Sequence, residues 1–317
     1  MTVAYLGPRG TFAERAARRL TESSGDELRP AASVIAALEL VRSGEVDSAV
    51  VPIENSIEGS VSGTLDELSA MPALQITAEV AVPVRFTLMA RTDVPLTDVR
   101  SVGTHPHAAA QCRRWLFENL PKATVELTSS TAGAAELLAT GTAPFDAPIA
   151  DHLAADHFDL VAVVDDIADN PEGATRFVQV AVPRPPGPPT GADKTSLLLF
   201  MHANRSGALL EILTEFAVRG INMTRLESRP TRKLLGEYCF SVDIDGHIAD
   251  ERVGEALIGL RRACADVVFL GSYPRLDGRA TELPVGQSDE DYRASREWLA
   301  ALRSGPAAGE RAADSAG

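Results

Sequence analysis

Cysteine is scarce: Cys112, Cys239 and Cys264 are the only three in 317 residues. They are widely spaced and odd in number, and no CxxC pair occurs. This argues against a disulfide framework or a zinc site and fits a reducing cytoplasm. Cations are also short, with 30 Lys and Arg against 44 Asp and Glu, a net charge of −14. That balance speaks against nucleic acid as a partner, because phosphate binding needs a basic footprint. It leaves room for a small anion, which reads a local site and not the global charge. No apolar run is long enough to span a membrane, so no membrane partner is expected. The opening Met1-Thr-Val-Ala-Tyr-Leu-Gly7 lacks a basic stretch before an apolar core, so no signal peptide is expected. The six histidines are scattered, without HExxH or a carboxylate at metal spacing, so no metal is expected.

What remains is ordinary for a folded protein: 45% hydrophobic and 23% charged residues, enough for a normal core. The length suits about two domains. Val3–Leu6 reads as a buried strand, Gly7–Gly10 as a turn, and Thr11 as the cap of a helix through Leu20. A helix from Ser33 to Leu40 and a strand at Ser48–Pro52 follow. The polar segment Ile53–Gly63 has two compatible readings. One is a loop capping a helix near Leu65, with Thr64 and Glu67 as a capping box. The other is a cradle of donors from Asn55, Ser56, Ser60 and nearby N–H groups.

Leu74–Arg91 alternates like a strand, and Val99–Val102 is another. The latter leads into Thr104-His-Pro-His107, with Pro106 near the first position of a helix at Ala108–Leu120. A strand at Thr124–Leu127, a helix at Ser130–Ala139, a strand at Ala147–Ala150, a helix at His152–His157 and a strand at Leu160–Val164 follow. Alternating strands and helices imply an α/β fold with mostly parallel sheets, and residues 75–160 read as an inserted lobe. Asn170-Pro-Glu-Gly-Ala-Thr-Arg-Phe177 then sets Thr175 and Arg176 at the mouth of a strand. A hydroxyl beside a guanidinium suits a small anion that must lose or gain an oxygen. From these residues alone, a strand-edge arginine in a surface ion pair is the plainer reading. His105 is a further ligand-facing donor or a simple helix cap.

Residues 183–194 form a proline-rich, semi-rigid linker. Beyond it come a strand at Thr195–His202, a helix at Gly207–Val218 capped by Ser206, strands at Asn222–Ser228 and Gly236–Ile244, a helix at Asp250–Cys264 and a strand at Val267–Leu270. The order βαββαβ is that of a ferredoxin-like plait, here a ligand-binding or oligomerising module. The extension 273–317 holds one amphipathic helix, with a Ser288–Asp291 capping box and Tyr292, Trp298, Leu299 and Leu302 on one face. Its end, from about Gly305, is expected to be disordered.

Seven stretches in this order resemble the prephenate dehydratases with a C-terminal ACT domain. They are Gly7-Pro-Arg-Gly-Thr-Phe12, Val51-Pro-Ile-Glu-Asn-Ser-Ile-Glu-Gly-Ser-Val61, His105-Pro106 with Gln111-Cys112, Thr175-Arg-Phe177, Gly207-Ala-Leu-Leu210, Gly220-Ile-Asn222 and Glu227-Ser-Arg-Pro230. The chain departs from the family's Ser-His-Pro-Gln-Ala-Leu pattern at Thr104-His-Pro-His-Ala-Ala109. The resemblance implies decarboxylating dehydration of prephenate to phenylpyruvate, without a cofactor, in phenylalanine synthesis. It implies a catalytic region over 3–182 built like two-lobed periplasmic binding proteins, and an ACT domain over 195–272.

On this resemblance Thr175 donates to the departing oxygen. Thr11, Asn55, Ser56, Ser60, His105, Arg176 and Phe177 bind substrate, with Arg176 clamping a carboxylate. Helix N-termini at Thr11 and near Ser62 add fixed dipoles. Gly207, Ala208, Leu209, Leu210, Asn222, Glu227, Ser228, Arg229 and Pro230 form an L-phenylalanine effector site, with Glu227 or backbone carbonyls meeting the ammonium and Leu209, Leu210 and Leu226 offering apolar surface for the ring. A cytoplasmic homodimer or homotetramer is expected. Two other readings stand beside this one: an arogenate dehydratase, and a non-catalytic sensor that needs Arg176 but not the Thr175 hydroxyl.

Overall fold

Short apolar runs and capped amphipathic segments fold into two units, Met1–Arg184 and a second beginning at Pro185. The computed structural model describes residues 1–70, 72–230 and 238–305.

In the first unit, β1 (Thr2–Leu6) lies between β2 (Glu27–Ala31) and β3 (Ser48–Asn55), both parallel to it. The helix α1 (Phe12–Thr21) follows β1, and α2 (Val34–Arg42) follows β2. Thr11 and Ser33 cap them, accepting from the N–H groups of Glu14 and Ala36. Next come β4 (Gly59–Ser60), α3 (Ser62–Leu68) and β5 (Gln75–Pro83). A second sheet is built from β6 (Thr87–Ala90), β7 (Ser101–Thr104), β8 (Thr124–Leu127), β9 (Ala147–Ala150) and β10 (Val161–Val164), ordered β10-β6-β9-β7-β8. Its helices are α4 (Pro106–Gln111), α5 (Arg113–Asn119), α6 (Thr131–Thr140) and α7 (His152–Phe158). The strand β11 (Ala174–Ala181) then returns to the first sheet, between β3 and β5.

The two sheets make two lobes, joined where the chain passes from β5 to β6 and from β10 to β11. Each lobe has its own core. Ala13, Ala16 and Ala17 let α1 pack closely on Val3, Tyr5, Val50 and Phe177. Phe86, Leu88, Val102, Ala108, Cys112 and Ile149 fill the second lobe.

Several expectations need correction. The sheets are mixed, because β11 runs antiparallel to both β3 and β5. The stretch Leu74–Arg91 is two strands in different sheets, with β5 ending at Pro83 and β6 starting at Thr87. The strand β2 is absent from the sequence reading, since Glu27-Leu-Arg-Pro-Ala31 is polar and holds a proline. Its edge position tolerates both. The helix read through Leu120 breaks at Cys112 (φ −112°, ψ 11°). The Thr64–Glu67 box does not form: α3 starts at Ser62, and the Thr64 hydroxyl instead donates to the Pro52 carbonyl at 2.5 Å.

The second unit contains β12 (Asp193–Met201), α8 (Ala208–Ala217), β13 (Met223–Pro230), β14 (Tyr238–Asp245), α9 (Glu251–Ala263), β15 (Cys264–Pro274) and α10 (Asp289–Ser304). Its sheet has the order β13-β14-β12-β15, all antiparallel, which is the plait expected from βαββαβ. Leu197, Leu199, Phe240, Val242 and Ile244 pack under Ile212, Phe216, Val253 and Leu260 of the helices. Ser206 does not cap α8; Gly207 does, at φ +84° without a side-chain bond, a left-handed conformation that favours glycine. The last strand is longer than the Val267–Leu270 reading. The Ser288–Asp291 capping box is present, and the α10 face with Trp298 and Leu302 is exposed. The expected strand start at Gly236 and disordered end beyond Gly305 lie outside the described residues.

Candidate active site

A cleft of about 470 Å³ opens between the two lobes of the first unit. It brings together Thr11, Asn55, His105, Thr175 and Phe177, from four separate segments of the chain. Strand geometry explains the last pair. Side chains alternate along β11, so Thr175 and Phe177 share the cleft face and Arg176 takes the other.

Thr175 is held by a specific contact. The Asn55 Nδ2 donates to Thr175 Oγ1 at 2.9 Å. Asn55 Oδ1 accepts from the backbone N–H of Ile57 (2.9 Å) and of Glu58 (3.0 Å), an Asx-type turn. Those two donors fix the amide orientation, so its nitrogen must face Thr175. Thr175 then accepts from Asn55 and keeps its own O–H as a donor toward the cleft.

His105 caps α4, and its Nδ1 accepts from the His107 N–H at 3.3 Å. The opposite nitrogen, Nε2, is therefore the protonated one in the neutral ring. Burial, and then the neighbouring His107 ring 4.9 Å away, push the His105 pKa below its ordinary value. A neutral N–H donor at neutral pH results. Thr11 caps α1 with its hydroxyl 3.1 Å from both the Leu6 and Pro8 carbonyls.

Three expected ligands stand elsewhere. Arg176 points away from the cleft, its Nε donating to Glu79 at 2.7 Å and its Nη1 lying 3.5 Å from Glu54. Glu79 has no exposed side-chain surface, so this is a buried ion pair within the sheet. Ser56 staples β3 to β11, exchanging hydrogen bonds with the Ala174 backbone at 2.9 Å each. Ser60 sits in β4, paired to Glu54, outside the cleft lining. The α3 start near Ser62 does not border the cleft either.

Other residues line the cleft. Ser129, Ser130 and Thr131 line the cleft at the start of α6, with Ser130 Oγ accepting from the Gly133 N–H at 2.9 Å. Ser130 was legible as the start of a helix, but nothing local says that its loop faces β11. Glu58, His107 and Gln111 also line the site. No Lys or Arg lines the cleft among the described residues. Attraction for an anion falls to the N-termini of α1 and α6 and to the histidines.

On the α1 side the lobes are tied by ion pairs. Arg15 pairs with the buried Asp151, and Glu14 Oε1 lies 2.9 Å from His157 Nε2. Glu14 also accepts from the Gly10 N–H at 2.6 Å and from Arg18 Nη2 at 2.8 Å. Burial pushes the Glu14 carboxyl up, but the Gly10 N–H, His157 and Arg18 outweigh it and hold its pKa below the ordinary value. A depressed carboxyl contributes stability above its unfolded pKa and loses it as pH falls through the folded one. Glu14→Gln is therefore expected to cost about 1–3 kcal/mol at neutral pH. Thermal unfolding checks this, and the gap to wild type closes as the solution is made acid.

In the second unit, Gly207, Ala208, Leu209 and Leu210 line an open cavity of about 570 Å³ with Met201, Arg205 and Phe240. Ser228 pairs with Phe240 in the β13–β14 register and so shares its face of the sheet. Leu226, also exposed on β13, pairs with Val242 on that same face. Glu227 is not open to an ammonium as expected, because Arg225 (3.2 Å) and Arg229 (3.0 Å) hold its carboxylate. Arg229 is buried, Pro230 ends β13, and Asn222 donates to Asp245 at 2.8 Å.

Comparisons with known proteins agree with this division. The family model for prephenate dehydratase matches residues 3–184, and that for the ACT domain matches residues 195–262. A prephenate dehydratase of Amycolatopsis methanolica is 45% identical over 306 residues, covering 96% of this chain and 98% of that protein. One from Mycolicibacterium vanbaalenii is 47% identical over 316 residues, with the same coverage. The crystal structure of prephenate dehydratase in complex with L-Phe from Arthrobacter aurescens has a TM-score of 0.91 at 43% identity, over 96% of this chain and 100% of that one. Two family models in the right order, carried by relatives of nearly the same length, mean that the chain belongs to the prephenate dehydratase family with a C-terminal ACT domain.

Proposed function

We infer that the cleft converts prephenate to phenylpyruvate, water and carbon dioxide, and that L-phenylalanine inhibits it through the ACT domain. The observation that carries the chemistry is the Asn55–Thr175 hydrogen bond inside a cleft walled by helix N-termini. Prephenate bears two carboxylates and a ring hydroxyl. When the ring carboxylate leaves as carbon dioxide, its bonding pair enters the ring and the hydroxyl departs with its own pair. The ring becomes aromatic, and one proton converts the departing hydroxide to water.

The protein's task is to hold the dianion and stabilise the leaving oxygen. With Asn55 occupying an acceptor lone pair, Thr175 aims its O–H at that oxygen as a positioned donor. His105 supplies a neutral N–H, the starts of α1 and α6 face the carboxylates, and Phe12, Phe86 and Phe177 line the apolar side. Arg176 acts behind the strand, through Glu79. Incubating purified protein with prephenate and following phenylpyruvate tests the reading. Arogenate in place of prephenate is the control, and faster turnover of arogenate would overturn the substrate assignment.

For the effector, the cavity beside Gly207–Leu210 offers the N-terminal end of α8 and apolar walls for a ring. The double variant Gly207→Val with Ser228→Ala is expected to keep turnover and lose at least tenfold in phenylalanine sensitivity. This is the scale of an allosteric coupling of about 1–3 kcal/mol. Equal sensitivity of a chain ending at Arg184 would place the effector in the catalytic cleft instead. Assembly as a cytoplasmic homodimer or homotetramer belongs to the same proposal. β13 and β15 form the two edges of the ACT sheet, the surfaces through which sheets pair. Light scattering on the eluting protein decides the stoichiometry.

A further inference from the structure

We propose that Glu58 is a positioning residue that clasps the two lobes across the cleft and so holds Asn55 and Thr175 in place for the reaction; this rests on the dehydratase reading above. Glu58 stands in the turn between β3 and β4, in the first lobe. Its side chain reaches α4 in the second: Oε2 lies 2.8 Å from His107 Nδ1, and Oε1 accepts from Gln111 Nε2 at 3.0 Å. Its backbone N–H is one of the two donors that orient the Asn55 amide. One residue thus connects the opposite lobe to the group that holds the Thr175 hydroxyl.

The anchor on the far side is firm, because Ala108 and Cys112, beside the two partners, are in the second-lobe core. Gln111 Oε1 is buried without a hydrogen-bond partner, so Glu58 is what sets that amide's orientation. Static stability is not what the contact provides. The side chains are 38% and 65% exposed for Glu58 and His107, and pairs that open are worth little. Its consequence is geometric and electrostatic. A bare carboxylate in a cleft without Lys or Arg would repel a dianion, and the His107 proton and Gln111 amide offset that charge.

The test compares Glu58→Ala and Glu58→Gln with wild type on prephenate. Glu58→Ala is expected to lose about tenfold in kcat/KM, mainly in kcat, with its thermal midpoint nearly unchanged. Glu58→Gln keeps a side chain that bonds both partners without the charge. It should recover most of the rate. Wild-type kcat/KM in Glu58→Ala, or Glu58→Gln as slow as Glu58→Ala, overturns the clasp. Small-angle scattering supplies a readout independent of turnover. Glu58→Ala should open the lobes relative to wild type, and superimposable profiles also overturn the proposal. A wild-type protein inactive on prephenate would instead strike the dehydratase reading, with the scattering comparison still deciding the clasp.

Discussion

Thr175→Ala is expected to lower prephenate turnover by about 10²–10³ while the Michaelis constant changes little. The acceptor side of the hydroxyl is already occupied, by Asn55 Nδ2 at 2.9 Å, which leaves its O–H to donate. Removing it takes away a contact that strengthens as the ring oxygen gains charge, and such a loss appears in kcat. The substrate's carboxylates keep their helix N-termini. Steady-state kinetics with phenylpyruvate as readout measure the effect, and near-wild-type turnover would remove Thr175 from the mechanism. Thr175→Ser, which keeps the hydroxyl, should retain far more activity than the alanine variant.

Arg176→Ala should cost about 3–5 kcal/mol of stability, because it strips the buried Glu79 carboxylate of its 2.7 Å partner. Arg176→Lys keeps the charge but not the planar donor group, and should fall between alanine and wild type. Any loss of activity should follow from a shifted β11, and so appear in kcat and in the melting temperature together. A large rise in the Michaelis constant with stability unchanged would instead mean that Arg176 grips the substrate.

Much of the fold was legible because it is local. Thr11 and Ser288 cap their helices as read, and the helices read from Ser33 and Ser130 begin there, with those serines as caps. The apolar run Phe177–Ala181 forms a strand, and the second unit adopts the plait implied by its element order. The failures also have local causes. The polar, proline-bearing β2 carries no apolar signal. Cys112 breaks a helical pattern that is periodic on both sides of it. Thr64 lies inside α3, which starts at Ser62, and its hydroxyl donates to the Pro52 carbonyl.

By itself, the sequence determined the two-part architecture, the order of elements and the family. Caps, turns and motif order depend on neighbours a few residues apart. Only the tertiary structure decided which face of β11 meets the cleft. Alternation along a strand separates Thr175 from Arg176, but it does not say which of them faces the substrate. Glu79, 97 residues away along the chain, took the guanidinium that the motif alone had assigned to the ligand. The start of α6 and the bridge from Glu58 to His107 are likewise products of two lobes meeting. Contacts of that kind depend on long-range packing, which no local pattern encodes.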